Sequence, residues 1–287
     1  MLSCIICSRK VDIPLELKKN IATTIGCKYE LIVIDNSRNE YSIFSAYNEG
    51  VRRAKGDILC FMHEDILYHT TNWGSGVLKY FDEYKTVGLI GVVGTHYLCS
   101  VPSGWWGTKI ASAHLLRGSY DCNGIYSCEE VNDNFYKKTP TQVVTIDGLW
   151  MCMPRVLFKE VSWDERILGG YHGYDLDMSL QVWNKGKEVH IYWDVLIEHK
   201  SMGNAGLDFH EAYEKLWVKW RKLLPIIKGV EIPNTEQELR TYIVKLERDL
   251  RMQEFKIRSS KPYRLGKVIL APFTFVKQMK ERIKRPQ

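Results

Sequence analysis

At 287 residues and 33.5 kDa, the chain is long enough for one large α/β domain or one domain with appendages. Its 45% hydrophobic and 26% charged content excludes a wholly disordered, collagen-like or mucin-like polymer. The net charge of +6 is concentrated at the end: residues 261–287 hold eight Lys/Arg and one Glu, net +7, which leaves the rest near −1 and excludes a basic nucleic-acid-binding body.

Through the first hundred residues, short apolar runs alternate with polar, helix-like stretches, the pattern of parallel strands joined by crossover helices. Residues 2–7, 31–34, 58–62 and 87–93 predict strands, and residues 14–24, 42–55 and 72–84 predict the helices between them. The expected class is α/β, a mostly parallel sheet flanked by helices. Cys4 and Cys7 have C-x-x-C spacing, but on a strand positions three apart point to opposite faces. They are expected as buried thiols, like Cys60 and Cys152 in their own apolar runs, and eight cysteines in so long a chain fit a reducing cytoplasm. The opening apolar run is short and has no basic region before it, so no secretory signal is expected.

Residues 95–140 are rich in Gly, Trp, Tyr, Ser and Asn and predict a long irregular lid or binding loop around Trp105 and Trp106, or aromatics buried beneath a loop. A strand over residues 143–146 ends at Asp147-Gly148. A second block holds Gly169-Gly170-Tyr171-His172-Gly173-Tyr174-Asp175-Leu176-Asp177, then a helix reaching Asn184 and a strand over residues 189–193. Beyond residue 205 the pattern is helical. Leu239, Ile243, Leu246, Leu250 and Ile257 form an apolar seam, interrupted by Gln253, that predicts a docked amphipathic helix or a short coiled coil able to pair copies of the chain through residues 234–257. The last segment interleaves Tyr263, Phe273 and Phe275 with its Lys/Arg cluster, a composition suited to an anionic membrane surface. No stretch reaches the roughly 18 apolar residues of a membrane span; the run over residues 268–276 is broken by Pro272. The expected division is a body over residues 1–204, a helical extension over 205–260 and a basic tail over 261–287.

The polar residues just past each early strand carry the chemistry. Ser8-Arg9-Lys10, Asp35-Asn36-Ser37 and His63-Glu64-Asp65 stand after the first three predicted strands. The carboxyl ends of strands in an open parallel sheet form the ligand crevice, so the three clusters are expected to converge. Taken singly, Asp-Asn-Ser is also ordinary turn chemistry, and Glu64-Asp65 an ordinary polar strand end.

These clusters, with Leu31-Ile32-Val33-Ile34-Asp35, Ala46-Tyr47-Asn48-Glu49-Gly50, Lys55-Gly56-Asp57, Asp147-Gly148, Trp163-Asp164-Glu165 and Asp175-Leu176-Asp177-Met178-Ser179-Leu180, resemble in order and spacing the GT-A glycosyltransferases of the family-2 type over residues 1–203. The resemblance implies a GT-A domain that binds a nucleoside-diphosphate sugar and a divalent cation, Mn²⁺ or Mg²⁺. His63-Glu64-Asp65 occupies the place of the family's D-x-D motif: Asp65 is retained as metal ligand and His63 replaces the first Asp, a change that favours Mn²⁺. Ser8, Arg9, Asp35, Asn36, Asn48 and Glu64 fall on the nucleotide side. Asp175 aligns with the base that deprotonates the acceptor and Asp177 with a supporting acid, in a motif whose Glu is here Tyr174. Asp147, Trp105 and Trp106 fall on the acceptor or donor-sugar side, and His199 matches a late metal or phosphate ligand, with Lys200 beside it as an alternative partner for the diphosphate.

Each residue has a plainer alternative: turn or cap for Asn48, helix cap for Asp175, a structural histidine for His199. The implied function is inverting, metal-dependent transfer of a sugar to a glycan or lipid-linked acceptor at the cytoplasmic face of a membrane, as in cell-surface polysaccharide synthesis. Two rivals stand beside it. A nucleotidyltransferase would carry a Gly-rich phosphate loop, and Cys7-Ser8-Arg9-Lys10-Val11 has no glycine. A non-catalytic membrane-associated scaffold would bind no nucleotide in a metal-dependent way.

Overall fold

Five consecutive buried residues, Ile58–Met62, cannot line a one-sided sheet and require cover on both faces. The computed structural model describes residues 1–108, 110–120, 124–134, 140–201, 206–230 and 234–266. Its first part runs β1 (Leu2–Ser8), α1 (Leu15–Thr24), β2 (Tyr29–Asp35), α2 (Ile43–Arg53), β3 (Ile58–Met62), β4 (Ile66–Tyr68), α3 (Trp73–Glu83), β5 (Val87–Gly91), β6 (Val93–Thr95) and β7 (Tyr97–Leu98). There follow β8 (Ala111–Tyr120), β9 (Tyr126–Asn134), β10 (Thr141–Gln142), β11 (Thr145–Ile146), β12 (Trp150–Pro154), α4 (Tyr174–Asn184), β13 (Glu188–Ile191), β14 (Ile197–His199), α5 (Leu207–Trp220), β15 (Ile226–Ile227) and α6 (Asn234–Ser259). The chain divides into two units, Met1–Thr241 and Tyr242–Gln287.

In the first unit a seven-stranded sheet has the order β10-β13-β5-β12-β3-β1-β2. On one face Ile5, Phe61 and Met151 pack in a cluster with Phe44 and Tyr47 of α2 and Leu176 and Leu180 of α4. On the other, Cys4, Cys60 and Cys152 pack with Leu17 and Ile21 of α1 and Trp73 and Val77 of α3. Cys4 and Cys7 accordingly lie on opposite faces, and the cysteines among the described residues are free thiols. A second sheet, β11-β6-β8-β14-β4 with β9 paired to β8, stands beside the first.

Several elements differ from their sequence-based outlines. The sheet is mixed: β1 runs parallel to β2 and β3, but β12, which the periodicity does not single out, enters antiparallel between β3 and β5. The predicted strand over residues 87–93 changes sheets after Gly91, and that over 143–146 is reduced to β11 in the second sheet, with β10 just before it in the first. Much of the expected irregular loop is a hairpin, with Ser119 of β8 opposite Ser127 of β9. Its polar composition fits β9, where Ser127, Cys128, Glu129 and Glu130 are exposed in succession. Helix α5, placed by sequence in the extension, buries Phe209, Tyr213, Leu216 and Trp217 in the first unit's core. Along α6 the seam residues Leu239, Ile243, Leu246, Leu250 and Ile257 are all exposed. Among the described residues no helix is long and apolar enough to cross a membrane. Most of the basic tail, residues 267–287, lies outside the described residues.

Candidate active site

Strand register builds the site. Leu2 to Ser8 pair with Tyr29 to Asp35, so Ser8 and Asp35 end side by side. Met62 pairs with Trp150, which brings His63 to the segment Asp147-Gly148-Leu149; the His63 N–H donates to the Leu149 carbonyl at 3.0 Å. Ile66 pairs with His199, which sets His199 beside Asp65, and the Lys200 N–H donates to the Asp65 carbonyl. Residues 136 positions apart in the chain thus meet at one strand end.

Here three ligand atoms gather. His63 Nδ1 lies 3.4 Å from His199 Nε2 and 3.9 Å from Asp65 Oδ1, and His199 Nε2 lies 3.5 Å from the same oxygen. Metal bonds near 2.1 Å give ligand-to-ligand edges of about 3 to 3.5 Å, so the triangle fits one cation with little movement. Two imidazoles and one carboxylate suit a transition ion such as Mn²⁺ better than Mg²⁺, which prefers all-oxygen sites. Burial opposes the charge on Asp65, but hydrogen bonds from His199 and Ser201 outweigh it and hold the carboxyl well below its usual range. Burial likewise disfavours charge on His199, and Asp65 reverses this and raises its pKa.

At the end of β1 Glu64 organises the loop that follows. It accepts from Ser8 Oγ at 2.6 Å and from Arg9 Nε at 2.9 Å. The Arg9 side chain is otherwise exposed at the rim. A cavity of about 270 Å³ opens beside Asp65, lined by Arg9, Lys10, Leu17, Glu64 and Lys200; the Lys200 ammonium is paired with Glu16 at 2.7 Å. Asp35 is exposed at the end of β2, where it accepts the Ser37 N–H, and the backbone hydrogen bond from Ser37 is the main cause of its lowered pKa. Asn36 is buried and shapes the loop: its side chain donates to the Tyr41 carbonyl and to Tyr171 Oη, and accepts the Tyr41 N–H. The Asn48 side chain donates to the Trp163 carbonyl and to Glu165 and accepts the Trp163 N–H.

The remaining acids separate sharply. Gly173, at φ 79°, begins α4 from the left-handed region that favours glycine, so Asp175 sits in the first turn and is not the cap. Its Oδ2 accepts the Gly148 N–H at 3.0 Å and its Oδ1 the Leu176 N–H at 2.9 Å. Burial, reinforced by the charge of Asp147, raises its pKa to about 7 against those hydrogen bonds. Asp147 Oδ2 accepts from Trp105 Nε1 at 3.0 Å, which joins two residues assigned to the same side by sequence. Trp106, 38% exposed, stacks on Phe209 with ring centroids 5.7 Å apart.

Asp177 has partners of its own. It is 1% exposed and pins α4 to α5, through Lys219 at 2.7 Å and Trp220 Nε1 at 2.8 Å. Residues two apart on a helix face different sides, so the two buried carboxylates meet different neighbours. Sequence reasoning also passes over Tyr174, whose hydroxyl lies 2.8 Å from His63 Nε2. Its only sequence signal is that it stands where the resembled motif has Glu.

The model of the family described as "Glycosyltransferase like family" matches residues 1–222. No curated protein sequence matches the chain. Among solved structures, S. aureus TarS 1-349 is 13% identical with a TM-score of 0.52, over 92% of this chain and 76% of that one. GalNAc-T7 with UDP, GalNAc and Mn²⁺ is 12% identical with a TM-score of 0.46, over 91% of this chain and 52% of that one. The mannosyltransferase PcManGT from Pyrobaculum calidifontis, in complex with GDP-Man and Mn²⁺, is 13% identical with a TM-score of 0.44, over 94% and 84%. The chain spans about half the length of the GalNAc-T7 structure. The likeness to TarS is one of fold, and it meets the expectation of a GT-A-type α/β architecture, with the sheet mixed.

Proposed function

The chain belongs to the glycosyltransferase-like family, and from that premise we propose that it transfers a sugar from a nucleoside-diphosphate donor to an acceptor hydroxyl by a single inverting displacement. The observation that carries the proposal is the meeting of His63, Asp65 and His199 at the strand ends where Glu64 fastens the loop after β1. A divalent cation held by these three side chains would neutralise charge on the departing diphosphate. Arg9, Lys10 and Lys200 line the same rim, where Arg9 and Lys200 would exchange Glu64 and Glu16 for the diphosphate oxygens. Glu64 keeps the Ser8-Arg9 backbone in place to receive the donor.

The acceptor hydroxyl must lose a proton as its oxygen bonds to the anomeric carbon and the bond from that carbon to the diphosphate breaks. Asp175 takes that proton. A base is most useful with a pKa near the working pH, and burial has moved this carboxyl to about 7. The backbone N–H groups of Gly148 and Leu176 hold it in one orientation. Trp105 orients Asp147 beside it, and Trp106 on Phe209 offers an apolar ledge of the kind that sugars stack on.

The acceptor is a glycan or lipid-linked sugar used in a cell-surface polysaccharide. Support for a membrane partner is the net charge of +7 over residues 261–287 with interleaved aromatics, which would place the enzyme as a peripheral protein on the cytoplasmic face. The exposed seam of α6 would serve a second copy of the chain.

Titration of the protein with UDP, GDP and dTDP, with and without Mn²⁺, tests the central proposal. One nucleotide should bind in a Mn²⁺-dependent manner, and Asp65→Ala should abolish both that dependence and turnover. Metal-independent binding of every nucleotide, or none, would overturn it.

A further inference from the structure

The two places where the chain departs from the resembled motifs, His63 for Asp and Tyr174 for Glu, are in contact. His63 Nε2 is 2.8 Å from Tyr174 Oη, while its Nδ1 faces His199 Nε2 and Asp65 Oδ1. An imidazole ligates with a lone pair on one nitrogen and fixes its tautomer by donating from the other, usually to a carboxylate or carbonyl. We propose that Tyr174 is a positioning residue for metal binding: its phenol oxygen accepts the Nε2–H of His63 and so presents the Nδ1 lone pair to the cation.

The phenol is well placed for this. Its ring is buried and wedged edge-on against Phe44, at 6.2 Å between centroids, and against Tyr47, at 5.9 Å. On the remaining side Gly148 leaves the space the hydroxyl fills, since a Cβ there would come within 2.1 Å of Oη. The ring cannot swing away, so the acceptor position is fixed before any ion arrives. The chemistry of the group matters as much as its place. A carboxylate at 174 would bring a further negative charge to the triangle; a phenol orients the ring without one. Asp65 then remains the single anionic ligand of the triangle.

The inference rests on the metal assignment above, and the test separates the two. Mn²⁺ binding to the full chain is measured by electron paramagnetic resonance, without nucleotide, for wild type, Asp65→Ala, Tyr174→Phe, His63→Ala and the double variant. Tyr174→Phe keeps the ring and removes only the hydroxyl. It should weaken Mn²⁺ binding about 10-fold or more in the wild-type background and make no further difference once His63 is alanine. In ¹⁵N spectra His63 should lose its single Nε2–H tautomer. Unchanged affinity in Tyr174→Phe, or an equal loss with and without His63, overturns the inference while Asp65-dependent binding still stands. Absence of Asp65-dependent Mn²⁺ binding in the wild type overturns the metal assignment and this inference with it.

Discussion

Replacing Asp175 by Asn removes one proton-binding site and little volume, and its effects on activity and stability should run in opposite directions with pH. The folded chain raises this carboxyl from its ordinary 3.8 to about 7, so between those values the native state holds a proton that the unfolded chain has released. Stability contributed by Asp175 therefore falls as pH rises through that window, by about 4 kcal/mol in all at ~1.4 kcal/mol per unit. The amide of the variant binds no such proton, so the variant should gain about 4 kcal/mol on wild type between pH 4 and pH 8. A constant offset opposes the gain. The carboxylate accepts the Gly148 and Leu176 N–H groups with one oxygen each. An amide can accept only one, leaving a buried N–H unpaired at about 1–3 kcal/mol. Urea unfolding across the pH range reads the slope, in which the offset cancels. Turnover behaves inversely: wild-type activity should climb about tenfold per unit below pH 7 and level above it as the base ionises, while the variant should fall by about 10²–10⁴ and lose that limb. Wild-type turnover in the variant, or identical pH slopes of stability in both proteins, would refute the assignment.

Asp177→Ala should behave as a fold variant. It strips Trp220 Nε1 of its acceptor and leaves Lys219 with Asp164 alone, so about 3 kcal/mol of stability should be lost in urea unfolding with donor affinity unchanged; intact stability with lost turnover would restore it as a supporting acid. Gly148→Ala should cost about 1–3 kcal/mol by forcing a methyl into the Tyr174 hydroxyl, and it should weaken Mn²⁺ binding as well; unaltered Mn²⁺ affinity would show that the hydroxyl tolerates displacement. Deletion of residues 261–287 should release the protein from anionic liposomes but not alter turnover of a soluble acceptor, and binding that survives the deletion would reject the membrane role of the tail.

The order of residues by itself determined the early architecture, because apolar runs such as Ile58–Met62 have to be buried and the polar residues beyond them, Ser8, Asp35 and His63, are then carried to strand ends. It determined as well that Asp65 and His199 deserved notice, since each stands at the end of such a run or just past it. Direction was beyond it. Local periodicity does not say whether a neighbouring strand runs parallel or antiparallel, and the antiparallel entry of β12 is what draws Asp147 and Gly148 to His63. Nor does proximity in the chain translate into a shared environment: Asp175 and Asp177, with a single residue between them, meet the Gly148 N–H and the Lys219 ammonium because a helix turns by about 200° from one to the other. Asn48 and Tyr174 make the same point in reverse. An amide that suits a ligand was spent on Trp163, and a phenol that suits a core was aimed at the His63 imidazole. Such partners are chosen by long-range packing, to which only the folded chain has access.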